Sequence, residues 1–198
     1  MRLFVAVWPP PGAVDELMRA LAEVRTAVPQ LRWTIPEQWH LTLAFLGEVA
    51  DDRRPELERR LARAAARHHP LALRLSGAGQ FGNRVLVVKL NGDLPAMKRL
   101  AASAGAAARR AGISVPDRPY RPHLTLARTG TTGADELRPL AARLAAFESS
   151  PWTAAGFDLV QSRLGRGPGR RAEYRTVASW PLHRPRPSEE APDRPATS

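Results

Sequence analysis

A five-residue repeat constrains the fold of this chain more than any other feature. The pentapeptide His-Leu-Thr-Leu-Ala occurs at residues 40–44 and again at residues 123–127. Self-similarity within one chain is typical of an internal duplication. We therefore expect two structurally equivalent halves, related by a pseudo-twofold axis, with one copy of the repeat near the middle of each.

The hydrophobic pattern around each copy supports this duplication. Residues 2–8 predict a strand, residues 12–28 an amphipathic helix and residues 39–46 a strand that contains the first copy. In the second half a predicted helix at 94–111 precedes a predicted strand at 121–128. The other predicted elements are strands near 31–34, 71–76, 84–90, 156–163 and 173–180, and helices at 55–67 and 134–147.

Strand geometry sets which side chains of each copy lie together. Side chains at i and i+2 of a strand share a face, so each histidine shares a face with the threonine that follows it. The opposite face is expected to be buried under the helices, and carries Leu41, Leu43, Phe45, Leu124 and Leu126. Two strands related by a pseudo-twofold then bring His40, Thr42, His123 and Thr125 together across a cleft.

These four side chains suit the opening of a phosphodiester. One group must take a proton from water and another must give one to the departing oxygen, and imidazole titrates close enough to neutrality for either task. Threonine hydroxyls can donate hydrogen bonds to the charged phosphate oxygens. Two alternatives remain: a metal site, which lacks a third ligand within either copy, and a structural role in which each pair satisfies buried hydrogen bonds.

Composition adds weaker constraints. The 30 Lys and Arg residues exceed the 19 Asp and Glu residues, for a net charge of +11. This excess favours a polyanionic partner such as nucleic acid, although the amino-acid usage of a GC-rich genome explains it equally well. The absence of cysteine excludes disulfides and thiolate chemistry. The remaining histidines, which are His68, His69 and His183, have no partner pattern and are expected at the surface.

The two ends of the chain suggest its organisation. Residues 1–182 are expected to form one domain, and the proline-rich residues 183–198 a disordered tail. The N-terminus lacks a signal-peptide pattern, and the chain lacks an apolar stretch long enough for a bilayer. We therefore expect a cytoplasmic protein without membrane association.

The motifs resemble those of the two-histidine (2H) phosphoesterase superfamily, whose signature is a duplicated His-x-Thr/Ser-x. More narrowly, the chain is similar to the bacterial and archaeal RNA 2′,3′-cyclic phosphodiesterases, also called LigT-like proteins or 2′-5′ RNA ligases. The similar segments follow one another in order, at residues 2–6, 31–33, 40–47, 76–81, 121–128 and 159–162, with Tyr174 after them.

The resemblance implies an α+β fold with two lobes, each an antiparallel sheet with helices on its outer face, and a cleft between the lobes. It also implies an enzyme that hydrolyses 2′,3′-cyclic phosphates of RNA or nucleotides to 2′-phosphomonoesters. We expect a monomer that uses neither a cofactor nor a metal. His40 would be the proton donor to O3′ and His123 the base that activates water. The alternatives are a reversible 2′-5′ ligase of RNA halves, such as tRNA halves, and a non-catalytic RNA-binding module.

Three further features have two interpretations each. Simple alternation places Arg128 on the buried face, so it must follow a bulge or the strand end to reach the phosphate, as the resemblance implies; otherwise it is a surface arginine. Phe4 could stack on a base, but core packing is favoured. The basic loop at residues 165–171 could hold the RNA backbone, but a solvated hairpin explains it as well.

Overall fold

The computed structural model of this chain describes residues 1–129, 137–167 and 171–183. The helices are α1 (Pro11–Ala27), α2 (Arg54–Ala65), α3 (Leu94–Arg110) and α4 (Leu137–Arg143), with short 3₁₀ turns at Pro36–Gln38 and Asp51–Arg53. The strands are β1 (Arg2–Val7), β2 (Arg32–Trp33), β3 (Leu41–Glu48), β4 (Leu71–Phe81), β5 (Val85–Gly92), β6 (His123–Arg128), β7 (Trp152–Ala154), β8 (Gly156–Arg163) and β9 (Glu173–Pro181).

The nine strands of the described residues belong to one antiparallel, curled sheet. Its order is β7-β4-β5-β6-β3-β1-β8-β9, and β2 pairs with β6. The strands β7-β4-β5-β6 form one lobe and β3-β1-β8-β9 the other. The lobes meet where β3 pairs with β6, and the register there contains the single pair Leu41 and Leu124. The expected α+β fold with two antiparallel lobes is confirmed, and the two lobe sheets are continuous through the two repeat strands.

Most of the predicted elements are present, and the differences have simple causes. The strand β7 was not predicted, because three residues are too few to show a period. The helix expected at 134–147 is present as α4, while residues 130–136 lie outside the described residues. The expected disordered tail also lies outside them from residue 184 onward. No helix in the described part of the chain is both long and apolar enough to cross a membrane.

The main core lies between the sheet and the helices. Leu3 and Val5 of β1 pack there with Leu17 and Leu21 of α1, and all four are almost fully buried. Burying each such side chain contributes about 1.5–3 kcal/mol. The other face of β1 is also covered, because Phe4 packs in a second, smaller cluster. Burial on both faces explains why residues 3–8 are continuously apolar rather than alternating.

A bulge in β3 corrects the expectation that Phe45 is buried, since Phe45 is 58% exposed. Ala44 pairs with Val5 of β1 and Thr42 pairs with the next residue, Ala6, so Leu43 is an extra residue on β3. An inserted residue shifts the alternation of a strand by one position. Phe45 therefore projects out of the main core, although alternation alone would have buried it there.

The strand β6 has the same irregularity at the equivalent position. Thr125 pairs with Val87 of β5 and Ala127 with the neighbouring Leu86, so Leu126 is the extra residue. Arg128, which follows, is exposed. The bulge shifts the alternation of β6 by one residue, so that Arg128 does not lie on the buried face. Phe45 and Arg128 thus occupy equivalent positions, each five residues after the histidine of its own repeat.

Candidate active site

The junction of β3 and β6 brings the two repeats together. Residues directly opposite one another in an antiparallel pair share a face, and Leu41 lies opposite Leu124 in the main core. One step along each strand places Thr42 beside His123, and one step back places His40 beside Thr125. The four side chains are partly buried and lie on the face away from the main core. They are neighbours on one face of one sheet, whereas two separate facing strands were expected.

The two imidazoles are held in the same way. His40 Nδ1 lies 2.7 Å from the carbonyl oxygen of Gln38, and His123 Nδ1 lies 2.7 Å from the carbonyl oxygen of Arg121. A carbonyl oxygen can only accept, so Nδ1 of each ring is the donor. The neutral form of each ring therefore has its lone pair on Nε2. Each histidine can accept a proton at Nε2 when neutral and donate one when protonated.

Aromatic rings surround His40. Its ring centroid lies 4.7 Å from that of Phe4, 5.4 Å from that of Trp8 and 5.2 Å from that of Tyr174. Burial among these rings lowers the pKa of His40 from 6.5 to about 4, with a smaller contribution from the charge of His123, while the bond to Gln38 raises it. With this pKa His40 is neutral at pH 7.

His123 has fewer aromatic neighbours than His40. Among the described residues one ring, that of Phe81, contacts it edge to face at a centroid distance of 4.5 Å. Burial is the main cause that lowers the pKa of His123, and the positive charge of Arg128 lowers it further, while the bond to Arg121 raises it. The charge of Arg128 also lowers the pKa of Tyr174 against the larger effect of burial, which raises it.

Hydrogen bonds of Thr34 connect the segment before β3 to β6. Its hydroxyl lies 2.9 Å from the carbonyl oxygen of Thr125 and 2.8 Å from that of Leu126, both in β6. The buried indole of Trp39, immediately before His40, donates a hydrogen bond of 2.9 Å to the same hydroxyl. The main chain before His40 is thereby tied to the second repeat, which fixes the separation of the two imidazoles.

The hydrogen-bond donors of the cleft are available to a ligand. Within the described residues the hydroxyls of Thr42 and Thr125 have no hydrogen-bond partner, and Arg128 makes no ion pair with a carboxylate. Phe45 lines a cavity of about 660 Å³ together with Thr42 and His123. Such a set of donors next to an exposed aromatic ring can bind a phosphate ester that carries a base.

Alternation along the strands did not predict the positions of Phe45 and Tyr174. The detectable signal for Phe45 was its position five residues after His40, equivalent to that of Arg128 after His123. Tyr174 comes from β9, and only the tertiary fold brings it to His40. Phe4 is buried, as favoured, but its ring contacts His40.

Other candidate residues lie apart from the two imidazoles. His69 and His183 are exposed, whereas His68 is partly buried and its Nε2 lies 2.9 Å from Ser103 Oγ, so the expected surface position does not describe it fully. Residues 168–170 of the basic loop lie outside the described residues, and its proposed role stays a prediction. Across the described ranges no group of three or more His, Cys, Asp or Glu side chains is arranged to hold a metal ion.

Comparison with known proteins agrees with this geometry. The model of the family described as LigT like Phosphoesterase matches twice, at residues 7–87 and 88–169. An RNA 2′,3′-cyclic phosphodiesterase of Thermus thermophilus is 37% identical over 178 residues, which cover 83% of each chain. One of Geobacillus stearothermophilus is 29% identical over 90% of this chain, which spans 56% of that relative.

Solved structures show the same fold. Escherichia coli LigT in its apo form superposes with a TM-score of 0.74 at 26% identity, over 92% of this chain and 98% of that one. LigT in complex with 3′-AMP superposes with a TM-score of 0.74 at 25% identity, over the same shares. The two family matches divide the chain into halves that each contain one repeat, as the duplication predicts.

Proposed function

Because this chain belongs to the LigT-like phosphoesterase family, we propose that it hydrolyses the 2′,3′-cyclic phosphate at the end of RNA to a 2′-phosphomonoester. The observation that carries the proposal is the pair of imidazoles in one cleft, each with Nδ1 bonded to a main-chain carbonyl and Nε2 as its reactive nitrogen. Support for the substrate comes from the relatives named as RNA 2′,3′-cyclic phosphodiesterases.

The proposed reaction is an in-line displacement at phosphorus. Neutral His123 takes a proton from water at Nε2 while the water oxygen forms a bond to phosphorus. The bond from phosphorus to O3′ breaks, and protonated His40 gives its Nε2 proton to O3′. The phosphate stays on O2′, and the two histidines have exchanged their protonation states. Proton exchange with solvent restores them before the next turnover.

The charge of the phosphate requires donors that are already in place. The hydroxyls of Thr42 and Thr125 lie beside the two imidazoles, and the positive charge of Arg128 acts on His123. We propose that these groups donate hydrogen bonds to the non-bridging oxygens in the transition state. Preorganised donors of this kind each contribute about 10²- to 10³-fold to a rate.

Phe45 supplies a surface for the terminal base. Its ring is exposed and lines the same cavity as Thr42 and His123. Stacking of a base on an aromatic side chain contributes about 1–3 kcal/mol and depends little on the identity of the base. We propose that the base at the cyclic end stacks on Phe45, so that all four nucleotides are accepted.

The roles of the two histidines follow the resemblance and need a separate test. With a pKa of about 4, His40 can act as an acid at pH 7 only after the phosphate anion of the substrate raises this pKa. A substrate with sulfur in place of O3′ releases a thiolate, which needs no acid because thiol pKa values are near 8.5. This substrate should restore much of the activity of His40→Ala and little of that of His123→Ala. The opposite pattern would exchange the two roles.

The proposed activity is tested with a nucleoside 2′,3′-cyclic monophosphate in the presence of a chelator. We expect the wild-type protein to form the 2′-phosphate, identified by chromatography against both isomers. His40→Ala and His123→Ala should each lose several orders of magnitude in kcat/KM, since each removes one proton-transfer group. His69→Ala is the matched control, because His69 is exposed and its Nδ1 lies 3.1 Å from the Pro70 carbonyl oxygen.

Three outcomes would contradict the proposal. Full activity in either histidine variant would show that His40 and His123 are not the acid-base pair. A 3′-phosphate product would show that O2′, and not O3′, is the leaving oxygen. Binding of RNA without turnover by the wild-type protein would support the RNA-binding module instead. Addition of an RNA strand with a 5′-hydroxyl separates hydrolysis from 2′-5′ joining in the same assay.

A further inference from the structure

The cavity beside His123 continues beyond the residues assigned to catalysis. It passes from Thr42 and Phe45 to the helix α3 and to residues 115–121, which connect α3 to β6. The strands β3 and β6 share only one register pair. Residues 115–121, which precede β6, therefore diverge from β3 and leave an open space between the two lobes. We call this extension the α3 groove and define it by residues 98–109 and 115–121.

Positive charge dominates the α3 groove. Lys98, Arg109, Arg118 and Arg121 line the cavity, and Asp117 is the one acidic residue among the described lining residues. The four basic side chains are exposed. None of them is within ion-pair distance of a carboxylate in the part of the chain that the structure describes. Their charge is therefore available to an anionic ligand, and the neighbouring catalytic cleft also favours a phosphate.

The spacing on α3 fits an elongated ligand. Lys98, Ala102, Gly105 and Arg109 follow one another at steps of three or four residues and so lie on one face of the helix. The small side chains leave room over this face, and the guanidinium of Arg109 lies over Gly105. The Cα atoms of Lys98 and Arg109 are about 16 Å apart along the axis. A nucleic-acid strand in a duplex has one phosphate per about 3.4 Å. The face is therefore long enough for contact with more than one phosphate of an RNA strand.

The other wall of the groove is anchored to the protein core. Val115 and Tyr120 pack against the main core at the two ends of the connection, and Arg118 lies between them. The connection then leads into His123, whose Nδ1 bonds the carbonyl oxygen of Arg121. An RNA strand bound by residues 115–121 would thus have a defined position relative to the imidazole of His123.

We propose that the α3 groove binds the phosphates of the RNA strand that carries the cyclic end, which makes the enzyme selective for oligonucleotides over mononucleotides. This inference rests on the proposed function. Phe45 lines both the catalytic cleft and the groove, so a strand whose last base stacks on Phe45 can continue into the groove. The excess of cations then acts on the second and later phosphates, which a mononucleotide lacks.

The test compares kcat/KM for a nucleoside 2′,3′-cyclic monophosphate with that for oligoribonucleotides of two to eight residues that end in a cyclic phosphate. For the wild-type protein we expect kcat/KM to rise with length and to depend more steeply on salt for the longer substrates. The double variant Lys98→Ala/Arg109→Ala should lose at least about 10-fold on the oligonucleotides, and its salt slope should fall by about 0.7 for each lost phosphate contact. Its activity on the mononucleotide should be unchanged.

The matched control is Arg99→Ala/Arg110→Ala. It removes the same charge from the same helix at exposed positions one residue further along, which do not line the cavity. A second variant, Ala102→Glu, places a carboxylate on the exposed floor of the groove and should also reduce only oligonucleotide turnover. Circular dichroism of all variants verifies that they are folded.

The outcomes distinguish the two proposals. Absence of mononucleotide hydrolysis by the wild-type protein would refute the proposed function. Mononucleotide hydrolysis without a length dependence, or equal losses in both double variants, would overturn the groove alone. An effect of Lys98→Ala/Arg109→Ala confined to joining with a 5′-hydroxyl strand would also overturn it, because the groove would then hold the acceptor strand.

Discussion

The aromatic surroundings of His40 should make the stability of the folded protein depend on pH in a specific way. The folded state lowers the pKa of His40 from 6.5 to about 4, mainly through burial. The unfolded chain therefore binds a proton more readily, and stability is lost as the pH falls from 6.5 towards 4. His40 should contribute a loss of about 2 kcal/mol between pH 7 and pH 5, and of about 3 kcal/mol between pH 7 and pH 4.

The perturbation that isolates this contribution is His40→Asn. Its side-chain amide can keep the hydrogen bond to the Gln38 carbonyl oxygen, but it does not titrate. The free energy of unfolding is measured with urea at pH 7 and pH 5 for both proteins. We expect the wild-type protein to lose about 2 kcal/mol more than the variant over this range. Thr42→Ala alters the same cleft without removing a titratable group, and should keep the wild-type dependence.

Parallel curves for the wild-type protein and His40→Asn between pH 7 and pH 5 would refute the reasoning. They would mean that the rings of Phe4, Trp8 and Tyr174 do not keep water from the imidazole. Titration of the His40 ring protons by NMR gives the same quantity independently. A midpoint near 6.5 in the folded protein would contradict the expected low pKa.

Three further predictions concern activity. Phe45→Ala should lower kcat/KM by roughly 5- to 150-fold on nucleotide substrates, because base stacking is lost. Phe45→Trp should show no such loss, and Phe45→Ala should show none on a substrate without a base. Equal losses of Phe45→Ala on substrates with and without a base would contradict stacking. Arg128→Ala should lower kcat by roughly 100-fold. Arg128→Lys keeps the positive charge but loses the two parallel hydrogen bonds that a guanidinium can donate to a phosphate, so it should show most of this loss. Full activity of the lysine variant would exclude these two hydrogen bonds. The pKa values of both His40 and His123 are lowered, so kcat/KM should be greatest below pH 6.5. The optimum of kcat should lie at a higher pH, because bound phosphate favours the protonated ring. An optimum of kcat/KM above pH 7 would contradict this reasoning.

The sequence alone was sufficient for the repeat and its immediate consequences. Identical pentapeptides on strands place each histidine and threonine on one face by local geometry, and helix periodicity located the longer helices. These features depend on neighbours within a few residues. The α+β architecture with two lobes followed from the resemblance, and the double match of the family model agrees with the duplication.

Tertiary structure decided the parts of the site that depend on partners distant in sequence. Simple alternation predicted that Phe45 is buried. In the pairing of β3 with β1, Leu43 is an extra residue, so Phe45 points outward. The same irregularity exposes Arg128, and no local signal marks a bulge whose cause lies in the neighbouring strand.

The electrostatics of the site also came only from the folded chain. Sequence identified His40 and His123 as equivalent, yet three aromatic rings surround the first and one contacts the second. The pKa of each imidazole depends on this burial and on nearby charge, which are properties of the assembled cleft. Local periodicity thus determines which residues are available for chemistry, and long-range packing determines their protonation and their neighbours.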